Sequence, residues 1–593
     1  MTAEQDFATN PARPFLKIDN ADFHRWYPKE RDKPEKGTFE VGLVLAGAVS
    51  AGAYTAGVLD FLFEALDAWY AAKARGEDVP RHEIKLRVAA GASAGGINAA
   101  IAAAACRYRF PHGADPANPF YAAWVNGVDI AKLLDTADLT DTSYMRAILN
   151  CESLVKLAHD TIDYSPDSSA DPKERAWLSE GFRVLLTLTN ITGVPYMVRF
   201  SGQSGLGHEM IMHRDHLGFA VPFQSELGET EVPPDVLRLT LPNAHHSLVW
   251  RSLATAALAT GAFPLALEPR QIARTRTDFE YRFAYVNSAG KKIYARPWPL
   301  RETLDDRMNF LSVDGGTMNN EPFELAHAVL AGSQGQNPRA GIEACRAMIM
   351  VDPFADYAEP NEKAALSPSI IDVASHLLSA FKNQTRFKPI DLSLAEADDV
   401  YSRFLVAPTR IRANGETVRG QDALASSGLG GFLGFFAQAY RHHDFLLGRI
   451  NCRSFLRDQF ALPIAAEGAR NPIFAHWEPH HWAAGSPFVS SERPAHGQLI
   501  PLVGHLGKRT ERLDWPSNAF SGYDAMREPI ERRVRAIYPV LRDSLIQRFG
   551  FGRIWRGVAR CYLVLPWLIA RPKLLKSLRT TLDKAANDVK RRA

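Results

Sequence analysis

The sequence predicts an α/β protein in three layers, with helices covering both faces of a mostly parallel central sheet and a mainly helical C-terminal region after it. Three observations carry that reading. Apolar runs of strand length alternate with helical patterns through the first two thirds of the 593 residues, the order that builds a parallel sheet. The runs are continuous in apolar or β-branched residues, as strands buried on both faces require. Glycine-rich turns stand where strands give way to helices, the places where an open sheet forms its crevice.

Composition is that of an ordinary globular protein, with 46% apolar and 23% charged residues. The length allows a large core and more than one structural unit. The expected organisation is an N-terminal extension over 1–38, an α/β domain over 39–460 whose chemistry lies in 39–331, and a C-terminal region over 461–593. The first forty residues carry charges and no apolar h-region, so a secretory signal is not expected. Cys106, Cys151, Cys345, Cys452 and Cys561 are scattered and form no CxxC pair. That argues against a disulfide framework or a zinc site and fits a reducing cytoplasm; no metal and no other cofactor is expected.

FEVGLVLA (39–46) reads as a buried strand, and AYTAGVLDFLFEALDAWYAAKA after Gly52 as a helix apolar nearly all round and therefore buried. IKLRVAA and INAAIAAAAC repeat the pair. RVLLTLTNI (183–191), FLSV (310–313) and AMIMVD (347–352) are further short strands of the sheet, with EPFELAHAVLA a helix between the last two. FEYRFAYVNSAGKKIYARPW (279–298) differs: two alternating runs flank Asn287-Ser-Ala-Gly-Lys, the pattern of an inserted hairpin, which is the candidate lid. A Pro- and aromatic-rich stretch, 461–516, separates the body from basic C-terminal helices.

Charge is uneven. From 541 to 593, thirteen Lys/Arg stand against three Asp, a net of +10 that leaves −7 for the rest of the chain. Within this segment CYLVLPWLIA (561–570) is too short for the ~20 residues that span a bilayer in helix. With Pro566, Trp567 and flanking Arg560 and Arg571 it suits a segment lying in the interface of an anionic membrane. The plainer alternative is a helix packed on the body with a solvated basic face. No nucleic-acid reading module accompanies the basic tail, and nucleic acid is not an expected partner.

The chemistry lies in three turns. Gly91-Ala92-Ser93-Ala94-Gly95 matches GxSxG between a strand and a helix, a turn that lifts the serine Oγ clear of the sheet. The helix N-terminus beside it offers free N–H groups to developing negative charge. A small residue in a tight βα turn would give the same pattern. Upstream, Gly47-Ala48-Val49-Ser50-Ala51-Gly52 closes the first strand; without GK[ST] it is not a P-loop, and its N–H groups could hold an oxyanion. Downstream, Asp314-Gly315-Gly316-Thr-Met-Asn-Asn320-Glu-Pro322 follows FLSV, which sets Asp314 at the carboxyl end of a strand facing the same crevice. Its plain reading is an Asp-Gly turn. Two histidine groups carry less. In HWEPHHW, His476, His480 and His481 are close, but Pro479 breaks the helix that an i, i+4 metal pair would need. His213 and His216 flank Asp215 in a polar, loop-like run and are expected at the surface.

The three turns, in this order, resemble the patatin-like phospholipases, a family of lipid acyl hydrolases marked by a Gly-rich oxyanion loop, a GxSxG elbow and a D-G-G with a downstream Asn and Pro. ALATGAFPLALEP (257–269) is similar to the family's segment before the Asp strand, so the resemblance covers about 39–331. The segment 428–458 looks like one found in large bacterial patatin-related proteins. The resemblance implies the three-layer patatin-like fold, Ser93 as nucleophile and Asp314 as its general base in a Ser-Asp dyad without histidine. It implies an oxyanion hole at Gly47, Ala48 and Val49, with Gly91, Gly95, Gly315 and Gly316 shaping the turns. The implied activity is hydrolysis of membrane-lipid acyl esters, phospholipase A-type, in the cytoplasm or at the inner face of the membrane.

One departure weighs against full activity. The family's loop usually reads G-G-G-x-[KR]-G, and two glycines and the basic residue are replaced here. Backbone donors survive the change, but a β-branched Val49 resists positive φ. If the loop needs that conformation the hole is impaired, and one lost donor costs about 100-fold or more in rate. The alternatives are therefore a catalytically impaired patatin-like protein that binds lipid at the membrane, and a carboxylesterase or acyltransferase for other acyl groups. A Ser-His-Asp α/β-hydrolase is a further one, unsupported by any HGGG-type turn. An unperturbed Asp is about 2.6 pKa units more acidic than His, so the dyad needs a dehydrated pocket that favours the neutral acid.

Overall fold

The computed structural model describes residues 25–593 apart from 27, 140–143, 165–174, 200–206, 222–231, 240–246, 276, 281–283, 289–290, 296–306, 333–334, 356–399, 465–469, 510 and 549–552. Thr38–Leu45 (β1) is buried along all but its first residue, because helices cover the sheet on both sides. Its neighbours are Glu83–Gly91 (β2) and, further along the chain, Leu178–Arg199 (β3), Gly207–Val221 (β4), Val236–Arg238 (β5) and Arg270–Thr275 (β6). A separate hairpin of Ala284–Ser288 (β7) and Lys291–Ala295 (β8) precedes Arg307–Asp314 (β9), Arg346–Val351 (β10) and Arg403–Val406 (β11). Among the described residues nine strands form one sheet in the order β11-β10-β1-β2-β3-β4-β5, with β9 on β3 and β6 on β9.

The block β11-β10-β1-β2-β3 is wholly parallel. Successive β1 residues serve opposite layers, as the pleat dictates. Val44 and Ala46 join Val88, Ala90 and Met348 under Phe323–Ala331 (α5). Leu43 and Leu45 face Gly52–Ala74 (α1) and Ala94–Ala105 (α2) on the other side. Helix α1, extended by its first turn to Val49–Ala74, is long and apolar enough to cross a membrane, yet 89% of its most apolar window is buried inside the fold, so it is a core helix. Two more helices complete this layer near the sheet's carboxyl ends, Glu152–Asp163 (α3) and Leu248–Thr260 (α4).

FLSV belongs to the mostly parallel sheet as one of its antiparallel members: β9 pairs antiparallel with β3 and with β6. One expectation needs correction. The run holding His213 and His216 is not a loop but part of β4, and Asp215 is buried there in an ion pair with Arg274, both carboxylate oxygens at 2.7 Å. Of the candidate lid, Phe279 and Glu280 end a short helix, Thr277–Glu280, and β7 and β8 pair from Ala284 with Ala295 to Ser288 with Lys291; 281–283, the turn at 289–290 and 296–298 lie outside the described residues.

Packing continues across residue 461. Phe474, Trp477, Leu499 and Ile500 belong to the same cluster as β1 and α1. Gln438–Ser454 (α6) crosses α1 at close range, with Gly57 against the Phe445 carbonyl and Gly448 against the Tyr54 carbonyl. The chain ends in two long helices, Arg527–Arg548 (α7) and Arg553–Arg591 (α8). They meet where Tyr538 stacks on Trp567, ring centroids 4.3 Å apart. The last turns of α8 enter a second core, where Leu582, Ala586 and Val589 pack with Leu433, Tyr440 and Phe520.

Candidate active site

Strand β2 ends at Gly91, and the Ala92 N–H donates to the Leu45 carbonyl at 3.1 Å before the chain turns into α2. Ser93 occupies the turn at φ 50°, ψ −124°, a sparsely populated conformation that costs of order 1–3 kcal/mol and persists only where the surroundings impose it. Gly95 is part of that imposition, because a Cβ there would overlap the Leu45 carbonyl. Thr260, the last residue of α4, supplies another part: its Oγ1 accepts the Ser93 N–H at 3.0 Å.

Asp314 arrives from the opposite direction. Gly91 of β2 pairs with Leu186 of β3, and Asp314 of β9 pairs with Leu188. The two strands thus run toward each other along one edge of β3, and their carboxyl ends meet. Ser93 Oγ donates to Asp314 Oδ2 at 2.7 Å, with only 8% and 4% of the two residues exposed. The Gly316 N–H donates to Asp314 Oδ1 at 2.7 Å, and Thr189 Oγ1 donates to the Asp314 carbonyl at 2.8 Å. Backbone and side chain of Asp314 are therefore both fixed. Gly315 is required by close approach to the Thr187 carbonyl.

The turn after β1 lies directly beside the serine. A Cβ on Gly47 would stand 3.0 Å from the Ser93 Cβ and overlap Asn320 Oδ1. The Gly47 N–H donates to the Asn320 carbonyl at 3.3 Å. No acceptor engages the Ala48 or Val49 N–H among the described residues. Val49 does take the left-handed conformation, at φ 49°, in spite of its branched Cβ. Its side chain packs with Val128, Leu133 and Phe435, and that burial offsets part of the strain.

From Ser93 a pocket runs into the helical layer. Its empty space, open mouth included, is about 1130 Å³. Ile97 and Ala100 of α2, Leu154 and Leu157 of α3, Ala254 of α4 and Phe432 line it. Polar side chains are few, and no histidine is among the lining residues. At its rim Glu268 pairs with Arg146 at 3.0 Å and with Arg270 at 3.1 Å. Beside them Leu265, at φ 69°, is 78% exposed, and its carbonyl accepts the N–H of exposed Ile148 at 2.9 Å.

A model of the family described as patatin-like phospholipase matches residues 43–327. The uncharacterized protein y4iI of Sinorhizobium fredii (strain NBRC 101917 / NGR234) is 31% identical over 589 residues, 92% of this chain and 81% of that protein. The chain belongs to the patatin-like phospholipase family. The crystal structure of VipD from Legionella pneumophila aligns over 94% of this patatin-like chain and 89% of its own at 11% identity, with a TM-score of 0.20, too low to add to the fold argument. In this patatin-like protein the three motif turns converge on one point, as the family's sequence pattern implies.

Several residues at that point carried no role in the sequence reading. Thr260 and Asn320 sat inside segments matched to the family, but nothing in the sequence said that one would hold the Ser93 N–H or that the other would accept from Gly47. Thr189 lay in a plain strand. The histidines of HWEPHHW lie elsewhere: His480 and His481 approach Asp78 at 2.7 and 3.0 Å. His481 Nδ1 accepts the Glu478 N–H at 3.1 Å, so neutral His481 carries its proton on Nε2, toward Asp78. That tautomer makes a hydrogen-bonded clasp and leaves Nε2 without a lone pair for a metal.

Proposed function

We propose that the protein is a serine lipid acyl hydrolase, phospholipase A-type, acting through a Ser93–Asp314 dyad. The observation that carries this reading is the 2.7 Å hydrogen bond from Ser93 Oγ to a buried carboxylate, at a serine that itself lines a largely apolar pocket. Asp314 takes the Ser93 proton as Oγ bonds to the ester carbonyl carbon, and the carbonyl π pair moves onto oxygen. In this reading the oxyanion is held by the Ala48 and Val49 N–H groups, which no acceptor engages among the described residues. Its collapse expels the alcohol, which leaves with the proton from Asp314. Water then repeats the sequence on the acyl-enzyme, with Asp314 again accepting and returning the proton.

The substrate reading is a membrane lipid. The pocket wall is largely apolar, exposed Leu265 and Ile148 stand beside its rim, and α8 exposes Leu568 and Ile569, 58% and 59% accessible, within the basic C-terminal segment. These features suit peripheral contact with an anionic bilayer. The test is labelling with a fluorophosphonate probe: modification of Ser93 that Asp314→Asn abolishes supports an activated nucleophile. No labelling of the folded protein favours lipid binding without turnover.

A further inference from the structure

We infer that residues 425–436, through Ser50, hold the oxyanion loop in its left-handed conformation and so replace the glycines that the family's loop usually supplies. Four observations converge on this. Val49 sits at φ 49°, a conformation a β-branched residue adopts only under constraint. The next residue, Ser50, is fully buried and its Oγ donates to the Gly431 carbonyl. The fit is close on both sides: a Cβ on Gly431 would lie 3.3 Å from the Ala48 carbonyl oxygen and 3.0 Å from the Phe354 ring, and one on Gly434 would overlap Ser50 Oγ. Finally, Phe432 and Phe435 from this segment help line the pocket.

The segment is itself fastened at both ends, so it can bear on the loop rather than follow it. Asp444 of α6 accepts the Ala425 N–H at 2.8 Å, the Ser426 N–H at 3.0 Å and the Ser426 hydroxyl. Arg441, one turn earlier on α6, donates to the Gly434 carbonyl. Arg592, next to the chain's last residue, donates to Ser427 Oγ at 2.6 Å and to the Leu424 carbonyl at 3.3 Å. Glycine freedom is thus relocated. In the family pattern it lies in the oxyanion loop; here Gly430 and Gly431 take positive φ, 64° and 93°, while Val49 is held by what presses on it. Ser50 and Gly431 are positioning residues: neither reaches the reacting atoms.

The inference rests on the hydrolase reading, and its test separates the two. Hydrolysis of p-nitrophenyl acetate is measured for the full-length wild type, Ser50→Ala, and Ser50→Ala combined with Val49→Gly, with thermal melting of each. Removing the hydroxyl is expected to lower kcat about 10- to 100-fold with KM within about threefold, short of the loss of a whole oxyanion donor. Adding Val49→Gly, which removes the steric reason to leave the left-handed region, is expected to restore kcat at least about fivefold without raising the melting temperature. A merely structural role for Ser50 would not be rescued that way. If Ser50→Ala does not fold, Gly431→Ala compared with Gly430→Ala takes its place, since both strain positive φ but only Gly431 approaches the loop; a loss confined to Gly431→Ala supports the inference. A Ser50→Ala rate within twofold of wild type, no rescue by Val49→Gly, or equal effects at Gly430 and Gly431 overturn it while leaving the hydrolase reading standing. A folded wild type that neither hydrolyses the ester nor reacts with a fluorophosphonate overturns both.

Discussion

Gly91 and Asp314 occupy the same edge of β3 two positions apart, opposite Leu186 and Leu188, on strands that run in opposite directions. A parallel strand would need its own slot in the sheet and would carry its terminal Asp at least one strand spacing, ~4.8 Å, to the side. The antiparallel approach places the carboxylate end-on to the elbow, within reach of Ser93 Oγ. It follows that Ser93→Ala and Asp314→Asn remove the same unit. Each is expected to lower kcat by about 10³-fold or more, and the double variant to be little worse than either single one, because residues acting together are not additive. A double variant whose loss multiplies the two single losses contradicts a dyad.

Thr260 holds the Ser93 N–H in a buried hydrogen bond. Thr260→Val keeps the shape and removes the acceptor, leaving that donor unsatisfied at a cost of about 1–3 kcal/mol. Chemical denaturation should show this loss, and kcat should fall with it, since the elbow conformation of Ser93 loses a restraint. Unchanged stability contradicts the assignment.

The pocket predicts chain-length selectivity. Ala100 of α2 lines it well away from Ser93 along the helix, and Ala100→Leu fills part of its depth. The ratio of kcat/KM for a palmitoyl ester to that for a butyryl ester should drop about tenfold or more, measured on monomeric esters. An unaltered ratio places the acyl chain elsewhere.

Membrane contact is tested at exposed apolar positions, because truncation would remove Leu582, Val589 and Arg592 from the folded interior. Leu568→Ser with Ile569→Ser, and separately Leu265→Ser, should each weaken sedimentation with anionic vesicles about tenfold or more, given ~1.5–3 kcal/mol per aliphatic side chain removed from an apolar phase. Full binding by all of them defeats the proposed contact.

Burial pushes the His82 imidazole down to about 3. Its Nδ1 accepts from Trp477 Nε1 at 2.9 Å and its Nε2 faces the Leu499 carbonyl at 2.7 Å, so the ring is neutral and links β2 to the 461–506 region. The unfolded chain binds a proton near the ordinary value of 6.5, whereas folded His82 does not until about 3. The unfolded state therefore holds more protons in that window, and stability falls as pH drops through it by up to ~1.4 kcal/mol per pH unit. His82→Gln should make the fall shallower; an identical slope in the variant contradicts this.

Much of this was legible in the sequence because it depends on local pattern. Continuous apolar runs marked β1, β2 and β10, the glycines of GxSxG and D-G-G marked turns, and motif order pointed to the family. What stayed hidden depends on sheet register and on contacts distant in sequence. FLSV carries no sign of its direction, which is set by its pairing with β3 and β6. The run of His213 and His216 looked like a surface loop because Arg274, the ion-pair partner of Asp215 between them, lies 59 residues away. The replaced glycines of the oxyanion loop read as a defect, and the compensating contact comes from Gly431, 381 residues downstream.

The most direct test of the central claim is fatty-acid release from anionic phospholipid vesicles by the wild type beside Ser93→Ala. The account predicts release that is abolished in the variant while the variant still binds the vesicles. No release from a folded wild type, or equal release from both proteins, would contradict it.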